Sequence, residues 1–221
     1  AVRAAEAAMR GLIGGGAGAL AGRTEADVAA ELDARMRAAG ASGPSFPTIV
    51  AAGPHASRPH HVPGGRTIRR GEAVLFDWGA RVAGYVSDLT RVAFVGRIPP
   101  ALVEVYDVVR RAQAAGIAAL RPPARCRSAD AAARAVIEEA GYGERFVHGL
   151  GHGIGRDVHE GPSLHRRSDR PVRSGMVVTV EPGIYLPGVG GVRIEDDVLV
   201  TGRGRRRLSS LPTSPDAWVL G

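Results

Sequence analysis

The chain has 221 residues, 44% of them hydrophobic and 23% charged, and its one cysteine, Cys126, has no partner with which to form an internal bridge. No apolar run approaches the roughly 20 residues that span a bilayer, and all 29 basic residues are arginine, which excludes a P-loop and lysine Schiff-base chemistry. The net charge of +7 is spread over small clusters (Arg66/Arg69/Arg70, Arg166/Arg167/Arg170/Arg173 and residues 203–207), so it reads as a solvated basic surface, with neither specific nucleic acid nor membrane as partner.

The first residues, Ala1-Val2-Arg3-Ala4-Ala5-Glu6, lack the charged-then-apolar order of a signal peptide, and the absence of an initiator Met reads as an internal position of a longer polypeptide. With one cysteine, the expected compartment is the reducing cytoplasm. Residues 1–22 are alanine-rich and helical in pattern, weakened at Gly14-Gly15-Gly16. Thr24 is placed to cap a second helix over residues 25–39, in which Val28, Leu32 and Met36 fall four apart and which Gly40 closes. Residues 46–52 read as a strand, followed by a loop rich in Pro, His and Gly up to Gly65. Two apolar runs flank Arg81-Val82-Ala83-Gly84 and predict a β-hairpin over residues 73–95. Helices are predicted at 100–120 and 128–140, then strands at 145–149, 176–185 and 191–201 between glycine-rich turns. No linker-like stretch interrupts the chain, so residues 1–221 are expected to form a single domain.

The chemistry is concentrated in the acids of these strands. With the hairpin turn centred between Val82 and Ala83, Asp77 and Asp88 are cross-strand partners, with Cβ atoms ~5 Å apart on one face. Two bare carboxylates so close repel each other, and burying them unpaired is costly. A metal ion resolves the conflict; an exposed hairpin face is the alternative. Glu181 and Glu195 repeat the arrangement, equidistant from Gly188. Taken singly each glutamate reads as a surface charge, but four such acids with an imidazole suit two divalent cations of intermediate hardness, Mn²⁺, Co²⁺ or Zn²⁺. The imidazole comes from the segment holding His148, His152 and His159. Its glycines do not form a dinucleotide loop, because the chain runs from Arg156 into His159-Glu160-Gly161-Pro162 rather than a helix. Gly161-Pro162 likewise excludes a helical zincin motif, and no Gly-x-Ser-x-Gly elbow is present.

Five blocks, in order, resemble the pita-bread metallopeptidases, in the branch of Xaa-Pro aminopeptidases and Xaa-Pro dipeptidases (prolidases). They are Asp77 with Asp88-Leu89-Thr90-Arg91, His148-Gly149-Leu150-Gly151-His152, Val158-His159-Glu160, Thr179-Val180-Glu181-Pro182-Gly183, and Val192-Arg193-Ile194-Glu195-Asp196. The resemblance implies an α+β pita-bread fold, a curved antiparallel sheet flanked by helices and built from two similar halves. It places metal ligands on Asp77, Asp88, His152, Glu181 and Glu195, and substrate-side histidines on His60 (with His61 adjacent), His148 and His159. Arg193 matches a position that supports the ligands beside the substrate, while His55 and His165 read as loop residues. The implied activity is hydrolysis, with two divalent metal ions, Mn²⁺ foremost, of the bond preceding a proline at the second position of a small peptide. Glu181 would be the general base, and His159 and His60 would stabilise the developing oxyanion. Relatives carry an N-terminal domain that limits substrate length and builds homodimers, which this sequence lacks, and Trp78 departs from the smaller residue usual after the first ligand. The alternatives are a non-catalytic pita-bread module that binds peptide or RNA, and a hydrolase of a small non-peptide C–N substrate; intact ligands weigh against both.

Overall fold

Two helix pairs alternate with two sheets, antiparallel except where the C-terminal strand joins one of them in parallel, in the computed structural model, which describes residues 1–221. The first half runs α1 (Val2–Ile13), α2 (Glu25–Ala38), β1 (Gly43–Pro44), β2 (Ile49–Ala52), β3 (Ala73–Trp78), β4 (Ala80–Val82), β5 (Tyr85–Val86) and β6 (Leu89–Val95). The second runs α3 (Pro100–Ala119), α4 (Cys126–Glu139), β7 (Gly151–Gly153), β8 (Glu160–Leu164), β9 (Val177–Val180), β10 (Gly183–Leu186), β11 (Gly190–Arg193) and β12 (Asp196–Thr201). Strands β13 (Gly204–Arg207) and β14 (Val219–Leu220) then close the two sheets, whose orders are β13-β12-β9-β7-β8 and β14-β6-β3-β2.

The halves share one order of elements. In each, a helix pair leads to a strand (β2 or β7) that pairs with the next inner strand (β3 or β9), followed by a small hairpin (β4–β5 or β10–β11) and a return strand (β6 or β12) that pairs with the inner one. Strand β8, outside β7, has no counterpart in the first half. The sheets meet where Glu195 N donates to Thr90 O at 3.1 Å, one bridge between the return strands.

Local chemistry accounts for most boundaries. Thr24 caps α2 by accepting from Asp27 N at 3.1 Å, and the glycine run ends α1 at Ile13, where a 3₁₀ turn takes over. Val28, Leu32 and Met36 of α2 join Met9 and Leu12 of α1 in a buried core that continues through Phe76, Trp78, Phe94 and Tyr106. Burial of each such large side chain contributes about 1.5–3 kcal/mol. The unusual Trp78 is fully buried and donates from Nε1 to Ala5 O at 3.0 Å, tying β3 to α1.

Residues 145–149, read from the sequence as a strand, form none. The guanidinium of Arg134 on α4 takes the carbonyls of Phe146 (3.1 Å) and His148 (2.8 Å), so this segment bonds to a side chain instead of a neighbouring strand. The expected strands 176–185 and 191–201 are each broken, at Glu181-Pro182 and at Ile194-Glu195. The first break is where the chain leaves the five-stranded sheet for the β10–β11 hairpin, and the second is where it returns.

Candidate metal centre

Each small hairpin is flanked by two acids. Asp77 lies on β3 and Asp88 just ahead of β6, on either side of β4–β5; Glu181 follows β9 and Glu195 precedes β12, on either side of β10–β11. The β10–β11 register, Ile184 opposite Val192 and Leu186 opposite Gly190, is centred on Gly188, as the spacing requires for Glu181 and Glu195 to be equidistant. The first hairpin differs from expectation by one residue. Its turn is Ala83-Gly84, closed by Val82 opposite Tyr85, with φ of 50° and 80° at its two centre residues, the signs a type I′ turn demands. Asp77 therefore pairs with Thr90, and Asp88 stands two residues away on the diagonal. The shift is by two positions, so both carboxylates keep one face.

His152 joins them from β7. Its Nδ1 donates to Gly153 O at 3.0 Å, which leaves the Nε2 lone pair facing Glu181 Oε1 at 3.4 Å and Asp88 Oδ2 at 3.7 Å. Burial lowers the pKa of this imidazole, favouring the neutral ring. The strand approach that puts it there needs glycine beside it, since a Cβ on Gly151 would lie 2.1 Å from Thr179 O. Around the acids, Arg193 NH2 donates to Asp77 Oδ2 at 2.6 Å, Thr90 Oγ1 to Glu195 Oε2 at 2.5 Å, and Thr179 Oγ1 to Glu181 Oε1 at 3.3 Å.

Three of these carboxylates nevertheless each keep one buried oxygen without any partner: Asp77 Oδ1, Asp88 Oδ1 and Glu195 Oε1. Asp197, outside the cluster, also keeps an unpartnered Oδ1, and Asp196 contrasts with all of these. That acid is equally buried, yet it is satisfied by Arg91 NH2 at 2.7 Å, Gln113 Nε2 at 2.9 Å and the Ser209 hydroxyl. Asp196 is built as a closed structural anion, whereas the other acids converge with open valences. Ligand atoms of Asp88, His152 and Glu195 lie within 4.8 Å of one another. Burial first, and then mutual repulsion, drives the carboxyls of Asp88 and Glu195 well above their usual range; burial raises Glu181 to about 7. Orphaned oxygens, one free imidazole nitrogen and an excess of negative charge fit divalent cations, which would be held by Asp77, Asp88, His152, Glu181 and Glu195.

This cluster forms the floor of a cavity of about 450 Å³, whose lining includes all five of these side chains together with His60, His148, His159 and Arg193. The seven histidines separate clearly by their partners. His148 is engaged at both nitrogens, with Gly149 O at 2.8 Å and Tyr185 Oη at 2.9 Å, and burial lowers its pKa to about 4. His55 and His61 donate to Glu25, and His165 Nδ1 accepts from Arg167 N at 3.1 Å. Only His60 and His159 line the cavity with imidazoles free of protein partners, the latter with its ring centroid 4.3 Å from that of His152. His61 points away, so of the adjacent pair it is His60 that reaches the cavity. Arg193 is spent on Thr90, Tyr185, Pro59 and Asp77, which makes it a brace for the acids.

Residues 1–202 match the metallopeptidase family M24. The chain belongs to this family. It is 42% identical over 188 residues to the Xaa-Pro dipeptidase of Pyrococcus furiosus, covering 85% of this chain and 54% of that protein. Among solved structures, the X-Pro aminopeptidase of Thermotoga maritima superposes with a TM-score of 0.94 at 39% identity, covering all of this chain and 60% of that one. The Xaa-Pro dipeptidase of Bacillus anthracis gives a TM-score of 0.95 at 42% identity, with 100% and 61% covered. The fold is therefore the pita-bread fold, its curved sheet composed here of the two bridged sheets. The chain spans little more than half the length of the curated relatives it matches.

Several residues of this M24 site escaped sequence reasoning. Thr90 and Thr179 each hold a carboxylate, and Tyr185 links Arg193 to His148. The two threonines stand two residues from Asp88 and Glu181, so the alternation of strand faces was a usable signal. His165, read as a loop residue, lines the cavity with Phe46, Ile49 and Ser163, which no local pattern marks.

The raised carboxyls predict how the metal-free protein responds to pH. A folded-state pKa above the unfolded one means that the native state holds the proton longer, so stability falls as pH rises toward the folded value. The lowered His148 and His152 act oppositely, but only below their ordinary pKa near 6.5. Above it, Glu181 at about 7, Asp197 at about 8 and the strongly raised Asp88 and Glu195 govern the response. The Tm of EDTA-treated protein should therefore drop between pH ~6.5 and ~8.5, and Mn²⁺ should restore more of it at the higher pH. A level or rising Tm without metal would refute this account of the acids.

Proposed function

We propose that the chain is the catalytic part of a dinuclear metallo-exopeptidase that hydrolyses the bond preceding proline at the N-terminus of a small peptide. The observation that carries this reading is the convergence of five ligand-competent side chains, three with orphaned buried oxygens, beneath two partner-free histidines in one cavity. A carboxylate-rich set with one imidazole suits two Mn²⁺ ions, with Co²⁺ or Zn²⁺ as substitutes. When bound, such ions supply an activated water and polarise the scissile carbonyl.

The chain's own residues do the rest. Glu181 takes the proton of the attacking water and passes it to the leaving proline nitrogen. His159 and His60 hydrogen-bond the oxygen on which charge develops. His148, neutral and with both nitrogens engaged, walls the substrate, and Arg193 holds Asp77 in place. Substrate length and a homodimer built through an N-terminal domain belong to the same proposal, resting on the longer relatives. No helix is long and apolar enough to cross a membrane.

The test is hydrolysis by the full-length polypeptide of paired peptides, Xaa-Pro against Xaa-Ala, after EDTA treatment and after Mn²⁺ readdition. Mn²⁺-dependent cleavage confined to the proline peptides supports the reading. Metal-independent turnover, or equal cleavage of both, overturns it.

A further inference from the structure

The loop carrying His60 has one 3₁₀ turn (Gly53–Ser57) and no strand to hold it, yet it delivers an imidazole to the cavity. What fixes it lies outside the site. Glu25, the first residue of α2, is fully buried, and its carboxylate accepts from four donors of the loop and the strand before it. Oε1 accepts from Ala52 N at 2.8 Å and His55 Nδ1 at 3.0 Å; Oε2 accepts from His61 Nε2 at 2.9 Å and Gly64 N at 3.5 Å. Its backbone N–H also donates to Arg66 O at 3.0 Å. The loop is thus gathered onto one carboxylate at its start, middle and end. Placement at a helix N-terminus favours the charged form, and the bonds from Ala52, His61 and His55 outweigh burial to keep this carboxyl below its usual range.

His60 itself sits between two fixed points. On one side the Pro59 carbonyl accepts from Arg193 NH1 at 3.5 Å, and on the other the His61 imidazole is held by Glu25. Neighbouring residues pulled to opposite supports leave the side chain between them one direction, into the cavity. The rings of His55 and His61, with centroids 4.4 Å apart, pack the remaining space.

We infer that Glu25 and His61, with His55, are positioning residues that act on hydrolysis through His60. The inference rests on the catalytic reading above. Neither Glu25 nor His61 touches the cavity, so their effect must be indirect. A misplacement of about 1 Å in a catalytic group costs up to 10²-fold in rate.

The experiment is a double-mutant cycle on the full-length polypeptide with Mn²⁺ and an Xaa-Pro peptide. Glu25→Gln and His61→Phe should each lower kcat about 10–100-fold with KM little changed and metal content intact. His61→Gln, which keeps a donor toward Glu25, should recover most of that loss. In a His60→Ala background, Glu25→Gln should change kcat by less than about 2-fold, because the group it positions is gone. If Glu25→Gln costs as much in that background as alone, its role is general stability and the inference fails. Wild-type kcat in Glu25→Gln and His61→Phe overturns it as well. If Glu25→Gln does not fold, the same cycle with His61→Phe and His60→Ala decides. Wild-type turnover in His60→Ala alone would instead remove the catalytic reading beneath it.

Discussion

Asp88→Ala is expected to abolish tight binding of at least one divalent ion and to reduce hydrolysis on the order of 10³-fold or more, the scale of metal-assisted activation at about 1.4 kcal/mol per tenfold. Asp88 is almost wholly buried, its Oδ1 has no partner, and its Oδ2 faces His152 Nε2 at 3.7 Å. Burial first, and then Glu195, Asp77 and Glu181, raise its pKa, so the metal-free site strains against this charge. The same substitution therefore has two signs. Removing a ligand should eliminate activity, while removing one of several repelling acids should leave the EDTA-treated protein as stable as wild type or more so. A structural acid behaves otherwise: Asp196→Ala would strand the buried Arg91 guanidinium and cost about 3–5 kcal/mol whether or not metal is present. Elemental analysis measures ligation, and Tm with and without EDTA measures the effect of the charge. Unchanged metal stoichiometry in Asp88→Ala would remove this residue from the cage.

The acids were legible in the sequence because their pairing depends on parity. Asp77 and Asp88 share a face whether the turn is centred before or after Ala83, so an error of one residue in the turn left the grouping intact. The turn itself was harder to place, since Ala83 adopts φ 50°, a conformation its side chain disfavours. The breaks at Glu181-Pro182 and Ile194-Glu195 were hidden inside apolar runs, because the chain turns there to change sheets and periodicity records only burial. Least legible was what organises the loops. Glu25 reaches His61 across 36 positions and Arg91 reaches Asp196 across 105, and no local pattern announces such pairs. The long-range polar contacts that support the site are thus invisible at the stage where the ligands themselves are plain.

His159→Ala should keep both metals and the fold yet lose about 10²–10⁴-fold in kcat on an Xaa-Pro peptide, the range for a general acid–base or oxyanion contribution. The geometry separates this residue from the ligands. His152 is oriented by Gly153 O and presents its free nitrogen to two carboxylates, whereas His159 is exposed on the cavity wall with no protein partner at either nitrogen. Its ring packs at 4.3 Å, centroid to centroid, on that of His152, close enough to the floor to meet a carbonyl oxygen held there. An exposed imidazole with unused nitrogens adds little to stability, so Tm should hardly move, and a group that acts on developing charge should affect kcat more than KM. His159→Gln, which retains a hydrogen-bond donor but cannot change protonation, divides the two remaining roles. Recovery of activity by Gln marks a donor to the oxyanion, while loss as large as with Ala marks a proton carrier. Loss of metal in His159→Ala would make it a ligand, and wild-type turnover would make it a bystander on the cavity wall.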